Sequence, residues 1–305
     1  MTVTAVKPTV YESVEKLPCG TPVLVRCLES IEELKDMTDF LDGIKGGHNM
    51  SLHMGSESWV GRSWDSPKAC TESLNECHDK TMEYFEKAVE AISGVQFPMP
   101  QGIKRRPRIR EDGERLDLQR YRDGDIFRYW ATNKVKLPGG HQTVVIVQNM
   151  DVAGSYGPEQ IAWRGAAGAA LCKILTEAGY NVEYWMVSHT KKAFEDGGNL
   201  ELAVRVKGSH ERPDWVRMAN LTSCWLYRTV LFGQSASEKP KPDGEDFGGG
   251  AGNLGYPSYN WDEIKFLQDR IAGGRPVIVI DGKPFSEKLA VKCVTKAVEK
   301  FVASF

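Results

Sequence analysis

The chain has 305 residues, 41% hydrophobic and 26% charged, with a formal net charge of −2. That balance suits one large or two modest globular domains, and it gives no global pull toward nucleic acid or anionic membrane. No apolar run approaches the ~20 residues that span a bilayer, so no membrane partner is expected, and residues 1–16 lack the basic start and apolar core of a signal peptide.

Taken in chain order, residues 1–139 read as a mixed α+β region. Residues 21–28 read as a strand. Residues 30–41 read as a short helix, with Ser30 as N-cap and Glu33 as its capping-box partner. Residues 43–58 form a glycine-broken polar loop. Residues 67–92 read as one helix with Leu74, Cys77, Phe85, Ala88, Val89 and Ile92 on its inner face, and residues 93–102 read as a loop.

The pattern sharpens over residues 140–305. Residues 143–148 form an apolar strand, followed by a helix over 158–178 that starts at Pro158 and ends at Gly179. The small residues Gly165, Ala166, Ala167, Gly168, Ala169 and Ala170 let that helix lie close to a sheet. Residues 181–188 and 200–207 read as strands joined by a turn-rich stretch over 189–199. That stretch is too short for a helical crossover, so the two strands pair antiparallel. A helix over 213–232, a long loop over 235–257, a helix over 261–272 and a strand over 275–280 follow. Leu289, Ala290, Cys293, Val294, Ala297, Val298 and Phe301 stripe a closing helix. The seven cysteines are odd in number and scattered. Cys172, Cys224 and Cys293 sit at apolar helix positions, which suits buried thiols in a reducing cytoplasm.

The most informative run is TVVIVQNMDVAGS, residues 143–155. Its apolar strand stops abruptly at Gln148, Asn149, Met150 and Asp151, and small residues lead on to Pro158. A buried strand that delivers polar side chains to a loop before a helix is how open α/β sheets present ligand sites. Strand, helix, hairpin, helices and a strand VIVI ending in Asp281-Gly282 is an order that resembles the von Willebrand factor A-like fold. In that family the first strand ends in an Asp-x-Ser-x-Ser loop and a later strand ends in Thr-Asp-Gly, and these hold a divalent ion through which partners bind. The resemblance implies a Rossmann-type layered sheet over residues 140–305. It places Asn149 at the first Asp, Asp151 and Ala153 at the two Ser positions, and Asp281 at the later Asp, with Ile280 replacing the Thr. Asn149, Asp151 and Asp281 are the implied oxygen ligands for Mg²⁺ or Ca²⁺; helix capping and loop hydrogen bonding are the competing role for the same residues. The same stretch, with GSESWVG at 55–61 and LDLQRYRDGD at 116–125, also resembles a family common in bacteriophage genomes. The implied function is a non-enzymatic module that binds a protein partner at the strand-end face.

Two alternatives come from the residues themselves. Residues 104–122 hold eight Lys/Arg and four Asp/Glu, a local net of +4. Lys104, Arg105, Arg106, Arg108 and Arg110 open this segment, and Tyr121, Phe127, Tyr129 and Trp130 lie within or just after it, as nucleic-acid contact requires. A solvated segment with internal ion pairs is the bland alternative. A strand-end Asp cluster holding Mg²⁺ against phosphate would instead make a metal-dependent phosphate-ester enzyme, for which the sequence offers no general base. Gly250, Gly252 and Gly255 spell G-x-G-x-x-G, but no strand precedes them, so they read as loop. Cys19, Cys27, Cys70, Cys77, His48, His53 and His78 lack zinc-knuckle spacing. Ser188-His189 and Ser209-His210 are adjacent pairs, which rarely face each other, and Asp123 and Asp125 flank a turn glycine. Trp59, Trp64 and Trp163 read as buried against the sheet.

Overall fold

The computed structural model describes residues 11–16, 22–28, 62, 67–95, 101–110, 115–116, 129–138, 143–151, 156–190, 199–231, 270–280 and 285–303. The expected helix over 30–41, the loops over 43–58 and 235–257, Cys19, Trp59, Trp64, Asp123, Asp125 and Asp281 lie outside the described residues. Of the expected helix over 261–272, only residues 270–272 are described, and they are helical.

The chain forms an α/β sheet of six strands. These are β1 (Tyr11–Lys16), β2 (Pro22–Leu28), β6 (Thr143–Asn149), β7 (Asn181–Thr190), β8 (Asn199–Lys207) and β9 (Val277–Ile280). Their order across the sheet is β1-β2-β8-β7-β6-β9. β6 runs parallel to both β7 and β9, β7 and β8 form the expected antiparallel pair, and β2 lies parallel to β8. Two strands from the first 30 residues thus extend the sheet made by the later ones. A second sheet holds β3 (Gln101–Arg110), β4 (Arg115–Leu116) and β5 (Tyr129–Pro138) in the order β3-β5-β4.

β6 is buried on both faces because its residues are apolar at successive positions, not alternate ones. Val144 and Ile146 face a core shared with Val182, Tyr184, Met186, Leu202 and Val204. Helices α1 (Pro67–Glu72), α2 (Asp79–Ile92), α3 (Pro158–Glu177), α4 (Trp215–Leu221) and α5 (Glu287–Val302) supply the opposing layer. Val145 and Val147 face the other way, against Val25, Trp185, Val187, Ala203, Ile271 and Ala272. The period-two alternation of strand side chains accounts for this division.

α3 lies where the sequence places it. Pro158 occupies its first turn, and the Gln160 side chain accepts from the Gly157 amide at 2.8 Å. The small residues serve two neighbours, not one. A Cβ on Gly168 would sit 1.9 Å from Gln148 Oε1 and 2.5 Å from the Tyr184 hydroxyl, so this residue meets the sheet. A Cβ on Gly165 would sit 1.7 Å from the Thr222 carbonyl oxygen, so it meets the turn after α4.

Two expected helices are each broken. Residues 67–92 split into α1, a 3-10 turn (Ser73–Asn75) and α2. Asn220 Nδ2 donates to the carbonyls of Leu74 and Glu76, both at 2.8 Å, which takes acceptors a continuous helix would use. The break leaves Cys77 exposed, where an unbroken helix would bury it. The helix expected over 213–232 stops at Leu221 and restarts at Cys224, with the Ser223 hydroxyl accepting from Leu226 N at 3.3 Å. A π turn (Tyr227–Leu231) follows. His189 and Thr190, expected in a turn, still belong to β7 because they pair with Glu201 and Leu200. On α5 the expected stripe is buried at Ala290, Val294, Ala297, Val298 and Phe301, whereas Leu289 remains 41% exposed.

Candidate functional site

β6 is the strand from which the chain leaves in both directions. Its next parallel neighbour by sequence, β7, lies on one side, and β9 lies on the other. The crevice beyond the carboxyl ends of strands at such a reversal is where open α/β sheets bind ligands. β6 brings Asn149 and Asp151 to that crevice, and β9 ends beside it, with Ile280 paired to Gln148. Phe285, just before α5, packs on Tyr156, just before α3, with ring centroids 4.3 Å apart.

The two expected ion ligands at the end of β6 and just beyond it, Asn149 and Asp151, do different things. Asn149 Oδ1 accepts from the Asp151 amide at 2.7 Å and from the Arg164 guanidinium at 3.3 Å. Its oxygen thus helps to shape the loop, which is the loop hydrogen-bonding role weighed for it; the N-cap of α3 is Gly157. Arg164 also donates from Nε to the Asn149 carbonyl at 2.6 Å and lies over the Phe285 ring at 5.9 Å. Asp151 is fully buried. Its Oδ1 accepts from the Ser188 hydroxyl at 3.0 Å and from the His189 amide at 2.8 Å. Its Oδ2 is buried and has no hydrogen-bond partner among the described residues. Burial pushes the Asp151 carboxyl up to about 6, against the opposing pull of His189, Arg164 and its hydrogen-bond donors.

Several members of this site escaped the sequence reading. Arg164 is the one charged residue between Ile161 and Cys172, a stretch otherwise apolar and almost wholly buried, and that mismatch was its signal. Ser188 lies on the same face of β7 as Tyr184 and Met186, so alternation turns its hydroxyl to Asp151. His189 faces the other way and meets the Glu201 carboxylate through Nδ1, both side chains being buried. The alternation of β8 had put Glu201 on the face of Ala203, a core position, which marked it as a buried carboxylate in need of a partner. Ser188 and His189 therefore do not face each other.

The described residues fit a cation in part. Asp151 offers one hard, unpartnered oxygen, with the Ser188 hydroxyl beside it, and both suit Mg²⁺ or Ca²⁺. Arg164 opposes a second positive charge there. Among the described residues no group of three or more His, Cys, Asp or Glu could hold a metal ion, and the side chain of Asp281 lies outside them.

A separate cavity of about 490 Å³ opens between α2, α3 and the turn before Trp225. Tyr84, Phe85 and Trp225 wall it, and Lys80 and Glu159 bring opposite charges to its lining, so its chemistry selects no single ligand class. Among the described residues no helix is long and apolar enough to cross a membrane.

A family model described as "Domain of unknown function (DUF7192)" matches residues 15–288, and the chain belongs to that family. The match runs from β1 into α5 and so includes both sheets. No curated protein and no solved structure matches the chain.

Proposed function

We propose that this chain is a binding module whose partner docks at the crevice between the carboxyl ends of β6 and β9, with Asp151 as the charged anchor. The observation that carries the reading is the buried Asp151 Oδ2, which has no hydrogen-bond partner among the described residues. A desolvated carboxylate oxygen with no donor is costly unless a cation or donor arrives to meet it. The arriving group is a divalent ion bridging to the partner, as the resemblance to von Willebrand factor A-like domains implies. The order β6, α3, antiparallel β7 and β8, helix and β9 is the order on which that resemblance rests. Counting the Asp-x-Ser-x-Ser pattern from Asp151, in place of Asn149, fits the hydrogen bonds better. It leaves Asn149 to its loop bonds and sets Ala153 and Ser155 at the two Ser positions.

The test is calorimetric titration of Mg²⁺, Ca²⁺ and Mn²⁺ into metal-stripped protein, beside Asp151→Asn and Asp281→Asn variants. Saturable binding in the wild type, lost in a folded Asp151→Asn variant, supports the reading. Absence of binding to all three ions removes the ion from it. Hydrolysis of a phosphate ester that needs Mg²⁺ and Asp151 would replace the binding module with an enzyme.

A further inference from the structure

We propose that the three-stranded sheet of β3, β5 and β4 binds nucleic acid, with Lys104, Arg106, Arg108 and Arg110 forming a row that meets the phosphate backbone. The basic segment looked half-neutralised as sequence, with four acidic residues among its eight basic ones. Within the strands stand Lys104, Arg105, Arg106, Arg108, Arg110, Arg115, Lys134 and Lys136, and no Asp or Glu. This small sheet is therefore wholly cationic, in a chain whose net charge is −2.

The register then sorts the charges by face. Lys104, Arg106, Arg108 and Arg110 alternate along β3, so they share one face. The residues opposite them on β5 are Val135, Asn133, Ala131 and Tyr129. None of these directly opposite residues carries a negative charge. Alternate strand residues recur every ~6.8 Å, so the row runs ~20 Å. Each strand of a duplex carries a phosphate every ~3.4 Å of axis, so a row of this length spans several phosphates of one strand. Three of the four residues are Arg, whose planar fork suits phosphate oxygens. The other face also holds four basic residues, Arg105, Arg115, Lys134 and Lys136, but they are divided among the three strands and interrupted by Ile103, Pro107, Ile109 and Trp130, so they form no unbroken row. A regular row of like charges suits a linear, repeating polyanion better than an acidic protein surface. A β-ribbon is also an established shape for entering a nucleic-acid groove. The bland alternative is that β3, an edge strand containing Pro107, carries charge only to prevent edge-to-edge pairing.

The test is fluorescence anisotropy of the full chain with a labelled short oligonucleotide, single-stranded and duplex, across a salt series. Four phosphate contacts give a log–log salt slope of about −2.8 for a single strand and about −3.6 for a duplex. That is roughly a 50-fold to 150-fold loss of affinity between ~50 and ~200 mM salt. Lys104→Gln with Arg106→Gln, Arg108→Gln and Arg110→Gln should abolish that slope. Replacing the three arginines by Lys should retain most of it, which separates lost charge from lost folding. Removing Arg105, Lys134 and Lys136 from the other face should weaken binding less than removing Arg106, Arg108 and Arg110. The proposal is overturned by no binding at ~50 mM salt. Equal losses from the two faces also overturn it, as does binding to phosphatidylserine vesicles without binding to either oligonucleotide.

Discussion

Replacing Asp151 by Asn should change the pH dependence of stability in a direction the site dictates. Asn keeps the shape and an Oδ1 that can accept from Ser188 and His189, but it cannot ionise. In the wild type, burial raises the folded carboxyl from its ordinary 3.8 to about 6. Folding therefore favours the protonated form. The contribution is full below the unfolded value and disappears as pH rises through the folded one. A rise of that size corresponds to about 3 kcal/mol. The stability of the wild type minus that of Asp151→Asn should fall by ~3 kcal/mol between about pH 3.5 and 7, then level off. Any fixed cost of burying the Asn amide shifts the whole curve and leaves its slope alone. Urea unfolding followed by tryptophan fluorescence at a series of pH values reads this difference. A flat difference would refute the argument that burial dominates Asp151. A difference that grows with pH would mean that a cation within the chain holds the carboxylate ionised.

Gly168→Ala and Gly165→Ala should both destabilise the fold, although Ala is ~1 kcal/mol the better helix former. Gly168→Ala should cost about 1–3 kcal/mol, because the new methyl displaces the buried pair of Gln148 and Tyr184. Gly165→Ala should cost more, since it meets backbone at Thr222; thermal unfolding ranks the two, and a stabilised Gly165→Ala variant would show that α3 does not lie against that turn. Glu183→Gln should cost about 1 kcal/mol by weakening the two-pronged contact with Arg275, whose bonds are 2.7 and 3.0 Å. Burial alone would raise Glu183, but Arg275 and Trp185 outweigh it and hold its carboxyl low, so the cost should vanish as acid protonates the wild type. Among the described cysteines, Cys77 is exposed and should react first with a thiol reagent at pH 8. Burial pushes Cys172 and Cys224 up to about 12, and they should react only on unfolding; rapid labelling of either would contradict the packing of α3 or of the 224–231 turn.

The strands over 143–207 and the α3 helix could be read from the sequence because their signals are local. Continuous apolar residues mark β6, alternation marks β8, and Pro158 with Gly179 brackets α3. The break at residues 73–78 could not be read this way. It depends on Asn220 meeting carbonyls about 144 residues away in sequence, and no local pattern records such a meeting. The site divides along the same line. Asp151 was visible as a polar residue past a buried strand. Its isolation, the diversion of Asn149 to Arg164, and the turn of Ser188 toward it all come from tertiary packing. The basic run over 104–110 was visible as charge, but only the strand register sorts it by face.

The most direct measurement of the central claim is a carbon-13 NMR titration of the Asp151 side-chain carboxyl, with and without Ca²⁺. The account predicts a midpoint of about 6 without the ion. Ca²⁺ should move that midpoint downward, because a cation on Oδ2 favours the ionised form. A midpoint in the ordinary aspartate range, or one that Ca²⁺ leaves unmoved, would contradict Asp151 as an open, ion-accepting anchor at the strand ends.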